Sequence, residues 1–211
     1  MIPAKELLLF ALAAFGLVIS PGPNMIYLIS RSITQGRSAG MVSLAGIIVG
    51  FFFHILMVSF GLTAVLLTIP LAYTLLKTLG VLYLLYLAFQ AIKPQAESVF
   101  EVQQNTLIDS PGKLFRIGFL TSMLNPKVAV FYLSFFPQFI KIGYGSVFLQ
   151  SIELGIVQIL VSFSVNCMIV LFAARMARWF AQKPTWLKFQ KWFMASILTG
   201  LALKMALTKA K

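Results

Sequence analysis

The chain has 211 residues, of which 60% are hydrophobic and only 10% charged, with 17 Lys and Arg against 5 Asp and Glu and a net charge of +12. A soluble domain carries roughly 45–50% apolar and about 25% charged residues, so this chain has too few polar side chains to cover a water-exposed core. The basic excess lies in short segments between long apolar runs, with no basic face of interleaved aromatics, which excludes a nucleic-acid partner and fits the charge pattern that orients membrane proteins.

Six apolar stretches are long enough to cross about 30 Å of hydrocarbon at about 1.5 Å per helical residue. They are Leu7–Ser30, Gly40–Ile69, Leu71–Ile92, Leu114–Phe136, Val147–Ala173 and Leu187–Leu207. The first runs on to Ile29 and everything after it is equally membrane-like, so it reads as a retained span and not a cleaved leader. The second and third are parted by Pro70, which predicts a tight helix–helix turn near Thr68–Tyr73. The segment Lys93–Lys113, with Pro94, Glu97, Glu101, Asp109 and a Ser110-Pro111-Gly112 turn, has no apolar period. It reads as a linker, 93–113, between a three-helix unit at 1–92 and another at 114–211.

Backbone groups in lipid must satisfy one another, so the spans are helices and the expected fold is an all-α integral membrane protein. Lys and Arg are densest after spans one, three and five, at Arg31, Arg37, Lys93, Lys113, Arg116, Arg175, Arg178, Lys183, Lys188 and Lys191. Those loops are expected in the cytoplasm and the termini on the periplasmic side.

Laying the first half on the second brings Gly16 onto Gly118, Ser20 onto Ser122, and Pro23-Asn24 onto Asn125-Pro126. Three spans per half means that the second copy enters from the opposite side, an inverted repeat of the kind that secondary transporters use. Ser20-Pro21-Gly22-Pro23-Asn24 puts two prolines and a glycine inside span one. Each proline costs about 3 kcal/mol in a helix interior, and the freed carbonyls are tolerated in a membrane only where protein or a polar cavity covers them. In span four, Asn125-Pro126 reads as an N-cap followed by proline at the first helical position. Spans one and four are therefore expected to be broken at mid-membrane. The bland alternative is a pair of packing kinks.

Lys127 follows the second break. A charged lysine at that depth costs at least about 2.5–3.5 kcal/mol and needs a partner or water, unless it snorkels to an interface. Glu153 is the one acid within an apolar run and is a candidate to pair with Lys127 or to carry a coupling proton. His54 is a second coupling candidate, with a neutral interhelical hydrogen bond as the plainer reading; Asn166 has similar standing. Gly36, Gly40, Gly46 and Gly50 read as close helix packing. One cysteine, Cys167, and one histidine exclude a disulfide, a Cys-x-x-Cys pair and a multi-histidine metal site, and no cofactor is expected.

With Pro21-Gly22-Pro23-Asn24, the run Ser30 to Gly40, and Asn125-Pro126-Lys127 leading into Phe135-Phe136-Pro137-Gln138-Phe139, the whole sequence resembles the LysE/RhtB family of bacterial amino-acid exporters. The resemblance implies inner-membrane efflux of homoserine-, threonine- or leucine-like or basic amino acids, driven by the proton gradient. The partners expected are the lipid bilayer, a small amino acid and protons, with self-association left open. The candidate substrate site is a midplane cavity lined by Ser20, Pro21, Gly22, Pro23, Asn24, Ser122, Asn125, Pro126 and Lys127. Rival readings are a passive channel and a membrane-embedded enzyme; against the enzyme, the chain has no His-Glu-x-x-His and no second cysteine.

Overall fold

The computed structural model describes residues 2–20, 22–62, 70–92 and 108–181, together with 192, 195–196, 199–200, 202–203 and 206–207. Among the described residues there are helices and turns and no strand. The helices are α1 (Ala4–Ile19), α2 (Pro23–Thr34), α3 (Gly36–Met57), α4 (Pro70–Ile92), α5 (Pro111–Met123), α6 (Pro126–Val130) and α7 (Val147–Ala181). The described positions between 192 and 207 are also helical.

Two stretches, Gly36–Phe60 and Val147–Ala173, are long and apolar enough to cross a membrane alone. Two more spans follow if each bent pair counts as one: α1 with α2, bent by 56°, and α5 with the stretch Pro126–Phe139, bent by 44°. Polarity is distributed inside out relative to a soluble protein. Leu8, Leu12, Phe52, Phe60, Leu82 and Leu160 face outward, while Asn24, Asn125, Lys127, Gln158, Ser162 and Asn166 are buried. Only a solvent as apolar as lipid rewards that arrangement. The chain is a multi-pass membrane protein.

Local chemistry explains where the helices stop. The segment Ser110-Pro111-Gly112 is not a free turn: Ser110 is the N-cap of α5 and Pro111 its first residue, where a missing N–H costs nothing. The helix therefore begins before Leu114, inside the segment read from sequence as linker. Pro70 likewise opens α4; the rest of the expected turn before it, and most of the 93–113 segment, lie outside the described residues. After α6 the backbone widens into a π turn at Phe131–Phe135 and tightens into a 3₁₀ turn at Phe136–Phe139. Pro137 has no N–H to offer the Leu133 carbonyl, so the regular ladder cannot continue through it. The rings of Phe131, Phe136 and Phe139 pack around Phe10 of α1 at 5.2–5.7 Å between centroids.

α3 lies against α5 at backbone distance. A Cβ on Gly46 would meet the Phe115 carbonyl oxygen and the Phe119 nitrogen, and one on Gly118 would meet the Ser43 carbonyl. Gly40 and Gly50 are also packed, whereas Gly36 has open space around it and sits at φ +88°, turning the chain from α2 into α3. So three of the four sequence glycines serve packing and the fourth serves the turn.

Ion pairs tie the bent pairs together at both ends. Arg31, at the end of α2, meets Asp109, just before α5, at 2.9 Å, and Lys113 meets the same carboxylate. At the other end Glu6 of α1 meets Lys141, beyond the 3₁₀ turn, at 2.9 Å. α1–α2 and α5–α6 thus run in opposite directions, each starting where the other finishes.

Gly46→Ala should lower unfolding stability in detergent by about 1–3 kcal/mol or more, because the methyl group meets backbone that cannot rotate away; thermal unfolding reads this directly. The Lys113 hydrogen bond, with Arg31 beside it, holds the Asp109 carboxyl below the usual carboxylate range. Its contribution is complete above the ordinary value near about 4 and is lost as pH falls toward the depressed folded-state value. Melting temperature should therefore fall on that acid limb, and Asp109→Asn should flatten it.

Candidate functional site

The two breaks meet. The chain leaves α1 at Ser20, passes Gly22 in extended conformation and re-enters helix at Pro23. In the second half it leaves α5 at Leu124 and re-enters at Pro126, with the Asn125 side chain accepting from the Lys127 backbone N–H at 3.0 Å, the N-cap that its place before proline predicts. Across the junction the Asn125 amide donates to Asn24 Oδ1 at 2.9 Å, and Asn24 Nδ2 lies 3.4 Å from Ser122 Oγ. Ser20, Asn24, Ser122, Asn125 and Lys127 are all buried.

Lys127 reaches back across the junction. Its Nζ donates to the Ser20 carbonyl at 2.6 Å, the Leu17 carbonyl at 3.0 Å and Ser20 Oγ at 3.2 Å. The first two are carbonyls that α1 leaves unpaired at its C-terminus, which is also the negative end of its dipole. Among the described residues no carboxylate joins them. Hydrogen bonds to a charged group contribute about 1.5–3 kcal/mol each, so three together offset the roughly 2.5–3.5 kcal/mol that a lysine costs at mid-membrane. Gly22 makes this geometry possible: a Cβ there would lie 3.0 Å from both Cε and Nζ of Lys127.

The end of α5 is treated in a parallel way. His54 Nε2 lies 3.2 Å from the Ser122 carbonyl, and its ring stacks on Tyr132 at 5.3 Å. A carbonyl oxygen can only accept, so the nitrogen facing it carries the proton. The Tyr132 hydroxyl donates to Gln158 Oε1 at 2.7 Å, Gln158 donates to Ser162 Oγ at 2.8 Å, and Asn166 donates to the Ser162 carbonyl at 2.8 Å.

Between these groups lies a cavity of about 20 Å³, lined by Asn24, Asn125, Lys127, Gln158 and Asn166 on its polar side and by Leu17, Val18, Met25, Phe51 and Val128 on its apolar side. That is room for about one water, whereas small-molecule pockets run to hundreds of Å³, so this conformation is closed. A larger groove of about 390 Å³ reaches Asn125 from outside between Pro23, Ile117, Leu120, Thr121 and Leu124. Leu120 and Leu124 are exposed there, a surface suited to acyl chains and not to a charged solute.

Of the residues singled out from sequence, Ser20, Gly22, Asn24, Ser122, Asn125 and Lys127 come together. Pro23 and Pro126 open the half-helices with their rings turned outward, and Pro21 lies outside the described residues. Glu153 does not pair with Lys127: it accepts from the Ile2 backbone N–H at 3.2 Å. His54 touches the second break but does not line the cavity. Tyr132 and Gln158 escaped the sequence reading. Gln158 lies among apolar neighbours in a long apolar helix and was the available signal; a tyrosine in a phenylalanine-rich run gave none.

The profile of the family described as LysE type translocator matches residues 14–209. The leucine efflux protein of Salmonella typhi is 24% identical over 197 residues, covering 93% of this chain and 92% of that protein, and the leucine efflux protein of Salmonella typhimurium matches to the same extent. An uncharacterized membrane protein of Pseudomonas aeruginosa is 26% identical over 205 residues, covering 93% of each chain. No solved structure matches.

Tyr132→Phe leaves the buried Gln158 oxygen without its donor, a loss of about 1–3 kcal/mol. Thermal unfolding in detergent should show it as a lower midpoint, and an unchanged midpoint would mean that the bond carries no stability.

Proposed function

The chain belongs to the LysE type translocator family, a transporter and not an enzyme, and from that premise we propose that it exports neutral aliphatic amino acids across the bacterial inner membrane, driven by the proton gradient. The observation that carries the reading is the meeting of two broken helices around one buried polar cavity. Irregular backbone at membrane depth survives where it lines such a cavity, and transporters place their ligands there.

The zwitterion has complementary partners on the cavity wall. Its carboxylate meets the start of α2, where the backbone N–H groups of Asn24 and Met25 have no partner within the helix and the dipole is positive, together with the Asn125 amide. Its ammonium meets the side-chain oxygens of Asn166 and Gln158. Lys127 is held on the α1 carbonyls in this closed conformation, so it is not itself a partner of the carboxylate. Leu17, Val18, Met25, Phe51 and Val128 offer an aliphatic surface and no acid, which favours a leucine-like side chain over a basic one. The named function of the Salmonella relatives supports the same choice.

The wider arrangement we propose is six spans forming two inverted three-helix units, residues 1–92 and 114–211, joined by 93–113. The opposed directions of α1–α2 and α5–α6 support it. The end bearing Arg31, Lys113 and Arg116 faces the cytoplasm and the termini face the periplasm. Because the cavity is closed, loading requires one unit to move against the other.

Cells or vesicles filled with a mixed amino-acid pool should lose leucine-like species fastest when the protein is present. Asn24→Ala should slow that loss at least about tenfold, equal to about 1.4 kcal/mol, with membrane insertion unchanged. Selective release of basic amino acids would overturn the substrate class, and wild-type efflux by the Asn24 variant would overturn the site.

A further inference from the structure

We propose that Lys127 carries the coupling proton, its ammonium acting as a tethered cation that locks the end of α1 onto the second half of the molecule. This rests on the export reading above and names the group that couples it to protons. Where transporters have broken helices, the C-terminal ends of half-helices and their unwound carbonyls coordinate the driving cation. Here that place is filled by the protein's own ammonium, with Leu17 O, Ser20 O and Ser20 Oγ within 2.6–3.2 Å. The lysine stem comes from α6 and the acceptors from α1, so the three bonds join the two halves.

The lock depends on charge. As an ammonium the group offers three N–H donors to three acceptors. Loss of one proton leaves two weaker N–H donors and a lone pair for the same three groups. The Ser20 hydroxyl can turn to donate to that lone pair, but the charge that drew both carbonyls in is gone, and the tie between α1 and α6 loosens. In an export cycle the proton leaves Lys127 to water on the cytoplasmic side as the amino acid binds. It is replaced by a proton from the periplasmic side after the amino acid departs. One proton enters for each amino acid exported, and the covalent chemistry balances with no other reactant.

Several other titratable groups on the surrounding helices are placed elsewhere, and Cys167 of α7 is a half-buried free thiol. Glu6 of α1 pairs with Lys141, and Arg31 of α2 and Lys113 of α5 pair with Asp109. Tyr27 of α2 donates to the Leu114 carbonyl and Tyr132 to Gln158. His54 of α3 is on the Ser122 carbonyl, Glu153 of α7 accepts from Ile2, and Tyr86 of α4 is exposed. Among these residues none bonds to the Lys127 ammonium, and neither His54 nor Glu153 lines the cavity.

The test uses the full chain in proteoliposomes loaded with leucine, with and without an imposed pH gradient, comparing wild type, Lys127→Met, Gly22→Ala and Glu153→Gln. In wild type a gradient accelerates leucine efflux and leucine drives proton uptake. Lys127→Met should lose both responses while keeping a reduced leucine–leucine exchange, which also reports that it is folded. Gly22→Ala keeps the lysine and crowds its Cε and Nζ, so it should shift the pH midpoint of efflux whether or not the methionine variant folds; Glu153→Gln should not shift it. Gradient-driven efflux surviving in Lys127→Met, or a pH midpoint that moves with Glu153→Gln and not with Gly22→Ala, would overturn the proposal. Wild-type efflux that ignores protons would overturn it too, leaving the export reading intact, whereas a wild type that moves no amino acid refutes that reading itself.

Discussion

A lysine ammonium buried between apolar helices, with no carboxylate bonded to it among the described residues, is balanced there by dipoles, and the placement of both helix breaks follows from that need. α1 has to end where its last carbonyls can converge on Nζ. The residue after the break has to lack a side chain, because a single methyl group at Gly22 would occupy the space of the lysine stem. α5 has to end as well, so that Asn125 can cap a new helix whose second residue points back toward α1. Remove any of these and the charge is stranded at a depth where water cannot reach it.

The second break solves the same problem with a weaker device. The Ser122 carbonyl, at the end of α5, is met by the imidazole of His54 on α3, an aromatic donor in place of a cation. The order of residues differs too: Pro-Asn at the first break leaves Asn24 inside the helix, free to face Asn125, while Asn-Pro at the second makes Asn125 the cap. The two halves are alike in having a broken helix and unlike in how each break is filled. That asymmetry puts the one charged connection on one side of the cavity.

Much of this was legible in the sequence because proline and glycine act locally. Pro21–Pro23 and Pro126 interrupt a helix whatever surrounds them, and an apolar run that contains Asn, Ser and Lys must turn them inward. Partners across the fold were not legible. Glu153 is the only acid in an apolar run and so invites pairing with Lys127, yet the acid binds the backbone at Ile2, before α1, while the lysine binds the carbonyls at the far end of that helix. The start of α5 was missed for a related reason: Ser-Pro-Gly is turn chemistry until Asp109 is seen anchoring it through Arg31 and Gln35. Tyr132, in a π turn, and Gln158, on α7, form a pair 26 residues apart in the chain.

The ties at the two ends differ in kind from the tie in the middle. Lys141 and Glu6 are each about a third exposed, and pairs of that sort contribute at most about 1 kcal/mol. The opposite end has a better-covered carboxylate, since Asp109 takes Arg31, Lys113 and the Gln35 side chain together. At the centre, three charge-assisted bonds and an asparagine pair are sealed from solvent, where each is stronger for lack of competition from water. By exposure, the Glu6–Lys141 end is the weaker of the two closures. For the other end to open, the central tie has to weaken, and a change of charge on one lysine does that without any shift of packing, because it takes the charge assistance from all three bonds at once.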